Sequence, residues 1–506
     1  SDARATTNSQ YRAPIEPVPQ TPYCGETEGS RLTETFSEAE RAMAYNLLPC
    51  DRQQSYLMPP SLKEWLGEGH LAWFIVDAVG QMDLSEFYAA YRNDGWGAAA
   101  YDPGMMVAVL LYAYCRGVRS SRQIARCLEE DVGFRVVAAN QQPDFRTIAR
   151  FHADHEAALK RLFIQVLLMC REAGLVKLGV VALDGTKVAA NAALAANRSH
   201  EAIAGEVQRM LAEAKAVDAE EDMLFGAERR GDELPEGLGR RADRLKRLKE
   251  AKERLEREAE AAGKAAQEHV EQRRAEEAAT GKKKRGRKPK VVEAAPCEEA
   301  KANITDADSR IMKTRQGYVQ GYNAQAVVSE DQIIVAVGVT QEANDVRQLE
   351  PMLQTMVHTL KAAGIEDRPK TGLGDAGYWS EANIKTCSHC PEMPELLIAT
   401  TKDWKQRKLL REKGCPRGRI PKELSPRDRM ERKLLTKRGR ALYKMRSVLV
   451  EPVFGQVKEG QGFRRFMRRG LGAAQSEWSL VAMTHNLLKL WRSGQAPWGW
   501  ARAQWN

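Results

Sequence analysis

Nowhere does this 506-residue sequence run for about 18 consecutive uncharged apolar residues, the length a membrane-crossing helix needs. Its most apolar segments, Met105 to Tyr114 and Leu162 to Met169, are too short to span a bilayer, so no membrane partner is expected. A basic start followed by an apolar stretch is missing too. Residues 1-30 are polar and proline-bearing and read as a disordered tail rather than a secretory signal. Nor is there a disulfide framework: nine cysteines lie scattered without dense, even spacing, which points to a reducing cytoplasm. Cys387 and Cys390 alone form a CxxC, with His389 between them and Cys415 downstream. One CxxC supplies two zinc ligands and a fourth is not evident, so reduced thiols are the plainer reading.

What the chain does have is positive charge in two blocks. Between Thr401 and Arg446 stand 18 Lys or Arg against 5 Asp or Glu, more than the whole chain's excess of +10. The tract Lys282 to Lys290 (KKKRGRKPK) adds +7, so the remainder of the chain is acidic. Concentrated cationic blocks in an acidic chain make a field for a polyanion, and nucleic acid is the obvious candidate. With 43% hydrophobic residues over this length, the chain can bury more than one core, and two or three domains are expected.

Residues 31-173 read as helical. Asp102 and Pro103 form an N-cap with proline at the first helical position, and Met106, Val109, Leu110 and Ala113 recur at helical spacing until Gly117. Ser120 or Ser121, and Asp144, cap two further helices. Arg119, Arg122, Arg146 and Arg150 near these starts suit a helix-turn-helix-like DNA-binding unit; an ordinary bundle with solvated arginines fits as well. A strand, Leu178 to Leu183, then ends at Asp184. Residues 200-299 change character, with stripes at Ile203, Val207, Met210, Leu211, Ala214 and at Leu245, Leu248, Leu255, Ala259, Ala262 that predict a helical-hairpin arm. Such an arm contacts DNA or a second subunit, or is a solvated insertion. The basic tract beyond it, with Arg285 and Arg287 at its centre, is a flexible linker that binds phosphates or lies in a narrow minor groove. From Gly317 to Val339 the alternation predicts a β-hairpin around Ser329 to Asp331. A helix over Val346 to Ala362, a short strand ending at Asp375, a helix from Ser380 and a strand at Leu396 to Thr400 complete an α/β core interrupted by the arm.

Two acids thus directly follow apolar strands, Asp184 in VVALDGTK and Asp375 in TGLGDAGYW. A carboxylate there is rigidly held at the rim of a sheet, where a hard cation can reach it, and the small residues after each leave room for a phosphate. Taken singly, each is equally a turn residue or helix cap. In YKMRSVLVEPVFGQVK, Tyr443, Arg446, Glu451 and Lys458 are spaced Y-x2-R-x4-E-x6-K, and Glu451 and Lys458 lie two turns apart on one helix face. The alternative is a set of exposed charges on an amphipathic helix.

The blocks YDPGMMVAVLLYAYCRGVRSSRQIARCLEEDVGFRVVAANQQPDFRTIARFH, ALDGTKVAANA, DADSRIMKTRQGYVQGYNAQ, EANDVRQLEPML, DAGYWSEANI and VEPVFGQVK, in this order, resemble bacterial insertion-sequence DDE transposases of the IS-four-like superfamily. The resemblance runs from about Glu64 to Trp491. It implies an RNase H-like catalytic core over 174-199 and 300-470, a helical N-terminal DNA-binding domain over 31-173, and a C-terminal helix over 471-506. It implies further that Asp184, Asp375 and Glu451 are both the catalytic triad and the ligands of two Mg²⁺, with Mn²⁺ as a substitute. Tyr443, Arg446 and Lys458 then belong to the signature helix, Lys458 as a phosphate contact; the usual signature has three residues between Arg and Glu, where this chain has four. Partners would be double-stranded DNA, as terminal inverted repeats and target, and further copies of the chain in a dimer or larger assembly.

FRRFMRRG, with Arg464, Arg465, Arg468 and Arg469, suits backbone binding beside the site. Tyr378 and Trp379 either stack on an unpaired base or serve the core. Asp306, Asp308 and Asp345 rank below the triad. The helix Trp478 to Trp491 reads as a packing element in which Asn486 is a capping or solvated residue. Two other functions stay open: a catalytically inactive DNA-binding regulator and a structure-selective nuclease.

Overall fold

Valines, alanine and leucine at 180–183 are buried to the last atom or nearly so, because the strand they begin has neighbours on both sides. In the computed structural model this strand is β1 (Val180–Ala189), the centre of a mixed sheet with β4 (Arg310–Thr314), β5 (Gly317–Val328), β6 (Ile334–Thr340), β7 (Thr371–Gly374) and β8 (Glu395–Ile398). A separate pair, β2 (Asn197–Ser199) and β3 (Lys301–Asn303), joins antiparallel. The structure describes residues 61–91, 99–225, 236–281, 296, 300–314, 317–401, 403–421 and 423–499, all within the compact unit Pro59–Asn506. The expected tail at 1-30 and the linker arginines Arg285 and Arg287 lie outside the described residues.

Sheet order is β4-β5-β1-β7-β8, with β6 also on β5. β5 runs antiparallel to β1, β4 and β6, while β7 runs parallel to both β1 and β8. The expected hairpin is β5–β6. The expected end of β1 at Asp184 is corrected: the strand continues to Ala189, since Ala182 to Ala189 pair with Val328 to Gly321 of β5. The polar Gly185-Thr186-Lys187 stretch reads locally as a loop, and only the partner strand makes it β. On the other side, β7 pairs only as far as Ala182↔Leu373, so the parallel neighbour runs out beside Asp184.

Helices precede and cover this sheet. In chain order they are α1 (Leu71–Gly80), α2 (Ser85–Tyr88), α3 (Pro103–Cys115), α4 (Ser121–Glu130), α5 (Val132–Val137), α6 (Phe145–Asp154) and α7 (Glu156–Glu172). Then follow the arm helices α8 (His200–Phe225) and α9 (Glu236–Thr280), and α10 (Leu349–Ala362), α11 (Glu381–His389), α12 (Asp403–Glu412), α13 (Pro426–Leu435), α14 (Lys437–Gly455) and α15 (Leu471–Ser493). α3 starts as its sequence predicts: the Asp102 carboxylate accepts from Met105 N at 2.8 Å, and Pro103 needs no partner for a missing N–H. Its residues from Met106 to Cys115 are all buried, which marks a central helix rather than an amphipathic one.

The last helix explains why. α15 packs against α3, α7 and β6, so one buried cluster runs from the N-terminal helices into the sheet. Asn486 on α15 is neither a cap nor solvated, correcting the sequence expectation. It is fully buried; its amide Nδ2 donates to Ile334 O and its Oδ1 accepts from Ile334 N, both at 2.9 Å. A side-chain amide thus completes the backbone pairing at the start of β6, where β5 is the one neighbouring strand among the described residues.

α8 and α9 pack on each other, through only part of the expected stripes. Ile203, Val207, Leu248, Ala251 and Leu255 make a small core with Ala302 of β3, while Leu211 and Ala262 fall outside it and are exposed. At its base the buried Arg254 donates to the carbonyls of Ala307 and Lys301.

Candidate active site

Asp184 projects from β1 and is largely buried. Its Oδ1 accepts from Gly185 N at 2.9 Å, and Arg446 Nη1 of α14 donates to its Oδ2 at 3.3 Å. Burial pushes its carboxyl up to about 6; the Arg446 guanidinium opposes this and the negative charge of Asp375 adds to it. Asp375 directly follows β7 and caps the short 3-10 turn Ala376–Tyr378, its Oδ1 accepting from Gly377 N at 2.8 Å. Extending the parallel register of Ala182↔Leu373 by two residues sets 184 against 375, so the two carboxylates stand on neighbouring chains at one edge of the pairing.

Glu451 comes from α14, which packs on β1 and β7. Pro452 inside that helix has no N–H to give, and the chain winds into a π-helical turn at Gln456–Gly460, within which Lys458 faces the site. Lys458 Nζ donates to Thr186 Oγ1, and burial holds its ammonium below the usual lysine range. Asp184, Asp375 and Glu451 all line one open cavity of about 1630 Å³, with Lys187, Lys313, Arg446, Lys458 and Arg464 around them. That volume exceeds the ~300 to 1,000 Å³ of ordinary small-molecule sites. Five cations against three acids favour an anionic occupant.

Among the described residues no three His, Cys, Asp or Glu side chains converge closely enough to hold one metal ion, at the acids or at the CxxC. By donor type the acids fit hard divalent cations: three carboxylates on one cavity and no nitrogen or sulfur ligand among its lining residues.

Several expected contacts take other places. Arg446 is buried and paired with Asp184 where it lines the cavity, and Tyr443 on the same helix is buried too. The ring of Tyr378 is fully enclosed with its hydroxyl donating to Gln325 Oε1, so it forms no open stacking face, and Trp379 is half-buried against the core. Arg119 is half-buried and engaged: it donates to the carbonyls of Arg465 at 2.8 Å and Gly462 at 2.7 Å, over the Phe463 ring. Arg468 pairs with Glu156, and Arg464 pairs with Glu459 at 2.6 Å on the cavity wall. Arg465 and Arg469 are exposed, as are Arg146 and Arg150 on α6.

Two further acids hold the surroundings of the site, Asp345, which the sequence ranks below the triad, and Glu477, which it does not single out. Asp345 Oδ1 accepts from Asn323 and Gln325, each at 2.7 Å, and Lys187 Nζ lies 3.5 Å from it, so it anchors a cation of the cavity wall. A Cβ on Gly185 would meet Gln325 Nε2 at 2.2 Å and Asp345 Oδ1 at 2.9 Å, which is why glycine follows Asp184. Glu477 of α15 is fully buried and accepts from the backbone N–H of Met467 at 2.9 Å and Arg468 at 3.2 Å, fixing the arginine-rich loop. Burial pushes its carboxyl up to about 7 against the pull of those N–H groups, Arg119 and Arg468. The alternating YNAQ of β5 and the EAND motif carry the first network in the sequence; nothing local marks Glu477.

Together these features define a mixed α/β protein with carboxylates and cations around one open cavity, and no described helix is long and apolar enough to cross a membrane. Residues 60–154 match the family described as Transposase domain (DUF772), and residues 368–491 match that described as Transposase DDE domain. The matches indicate a DDE transposase; such a family implies a DNA substrate and generally uses divalent metals. Asp375 and Glu451 lie inside the second match, Asp184 between the two. No curated protein and no solved structure matches the chain.

Proposed function

We propose that this chain binds the ends of an insertion sequence, cleaves their strands and joins the freed 3′-hydroxyls to target DNA by two-metal phosphoryl transfer on an RNase H-like core. The observation that carries the reading is the register of β1 and β7, which sets Asp184 beside Asp375 on a cavity that Glu451 also lines. A mixed sheet with acids at its centre and α14 laid across β1 and β7 is the arrangement the RNase H-like reading calls for.

Asp184, Asp375 and Glu451 would hold two Mg²⁺, with Mn²⁺ as a substitute. Bound there, the ions would supply an activated water or hydroxyl and stabilise the leaving oxygen. Arg446 keeps Asp184 oriented and offsets the cost of its burial. Lys187, Lys313, Lys458 and Arg464 bind phosphates along the cavity, and exposed Arg146, Arg150, Arg465 and Arg469 extend that contact over the surface. Holding two ends at once calls for a dimer or larger assembly.

Excision from a plasmid carrying the native flanks of the gene tests this, with Asp184→Ala beside the parent. Excision and joining by the parent alone are expected. No products from either contradict the enzyme and leave a DNA-binding regulator; equal products from both remove Asp184 from the chemistry; cleavage without joining leaves a nuclease.

A further inference from the structure

Singly exposed apolar side chains are ordinary on a protein surface, but an open aromatic ring on the wall of a functional cavity is a contact surface for whatever enters it. Among the described residues two large exposed hydrophobics are aromatic, Tyr88 at 47% and Tyr318 at 65%. Tyr88 is engaged, its hydroxyl donating to Asp102 at 2.7 Å. Tyr318 stands at the start of β5 and lines the cavity of the three acids. β4 pairs Lys313 directly opposite it, and residues directly opposite on antiparallel strands share a face, so an ammonium and an open ring project together. Lys313 lines the same cavity and is itself exposed. β4 is the edge of the sheet on its path, and the exposed Lys313 and Tyr318 mark the end of this hairpin that lies at the cavity.

We propose that Tyr318 is the platform on which an unpaired base of the DNA stacks at the active-site cavity, with Lys313 taking the adjoining phosphate. The inference rests on the DNA-processing reading above and assigns to this hairpin the role that the enclosed ring of Tyr378 does not fill. An aromatic face with a cation beside it is the combination that holds single-stranded nucleic acid without base preference: the ring takes any base by its π-face, the cation follows the backbone. Tyrosine suits a rim that is wet when empty, since its hydroxyl stays solvated while the ring is covered.

The test uses a short duplex with a single-stranded 3′ overhang carrying 2-aminopurine, and a flush-ended duplex of the same sequence, with affinity read by anisotropy. The parent is expected to bind the overhang duplex more tightly and to quench its 2-aminopurine. Tyr318→Ala weakens that binding roughly 5- to 150-fold, the span that about 1 to 3 kcal/mol of stacking converts to, and abolishes the quench while flush-duplex affinity stays at the parent's value. Tyr318→Trp restores both. A Tyr318→Ala protein that binds and quenches like the parent overturns the stacking role and leaves DNA binding standing, as does equal loss on both duplexes. A parent that binds neither duplex overturns the DNA-processing reading itself.

Discussion

Changing Asp375 to Asn is expected to lower strand cleavage by more than about 100-fold, beyond the 10- to 100-fold typical of groups that only support a metal ligand. The substitution is unusually clean here. Asn keeps an oxygen to accept from Gly377 N, so the turn Ala376–Tyr378 keeps its cap and only the negative charge is lost. DNA affinity should hold or rise slightly, because the cavity's five cations then face two carboxylates. Single-turnover cleavage alongside anisotropy separates the two effects. Parent-like cleavage by Asp375→Asn removes Asp375 from the chemistry.

Asn486→Ala is expected to cost the fold about 2 to 6 kcal/mol, since it strands two buried backbone groups of Ile334 at ~1 to 3 kcal/mol each. β6 would lose one of its ties to α15, with Val339 N still donating to Gln475 Oε1 at 2.6 Å, and the N-terminal helices would lose part of their hold on the sheet. Urea unfolding of parent and variant reads this directly. An unchanged midpoint means that Ile334 finds other partners and that the buried amide is incidental.

Both residues show what the sequence can and cannot reveal. An apolar strand running into a lone acid is a local pattern, so Asp184 and Asp375 stand out, and the hairpin β5–β6, the arm and the helix carrying Glu451 follow from periodicity. Contacts made across the chain leave no such trace. Asn486 sits in a helix whose polar residues read as surface, and only its place against β6 makes it structural. Arg446 is separated from Glu451 by one residue more than the usual signature, yet it reaches Asp184 from a neighbouring element. Tyr378 and Tyr318 each follow a glycine, and which one is open depends on whether the core or the sheet edge receives it. Glu477 has no local sign at all, because its partners are backbone N–H groups of a loop about ten residues upstream.

Everything about the chemistry depends on the carboxylates of residues 184, 375 and 451 sharing the same ions. Fe²⁺ put in place of Mg²⁺, with ascorbate and peroxide, generates radicals that cut the polypeptide beside the bound metal. Mapping the fragments should give cuts near all three positions, suppressed by excess Mg²⁺ and absent from Asp375→Asn. Cuts confined to one segment, or falling away from these residues altogether, would show that the three acids hold no common site.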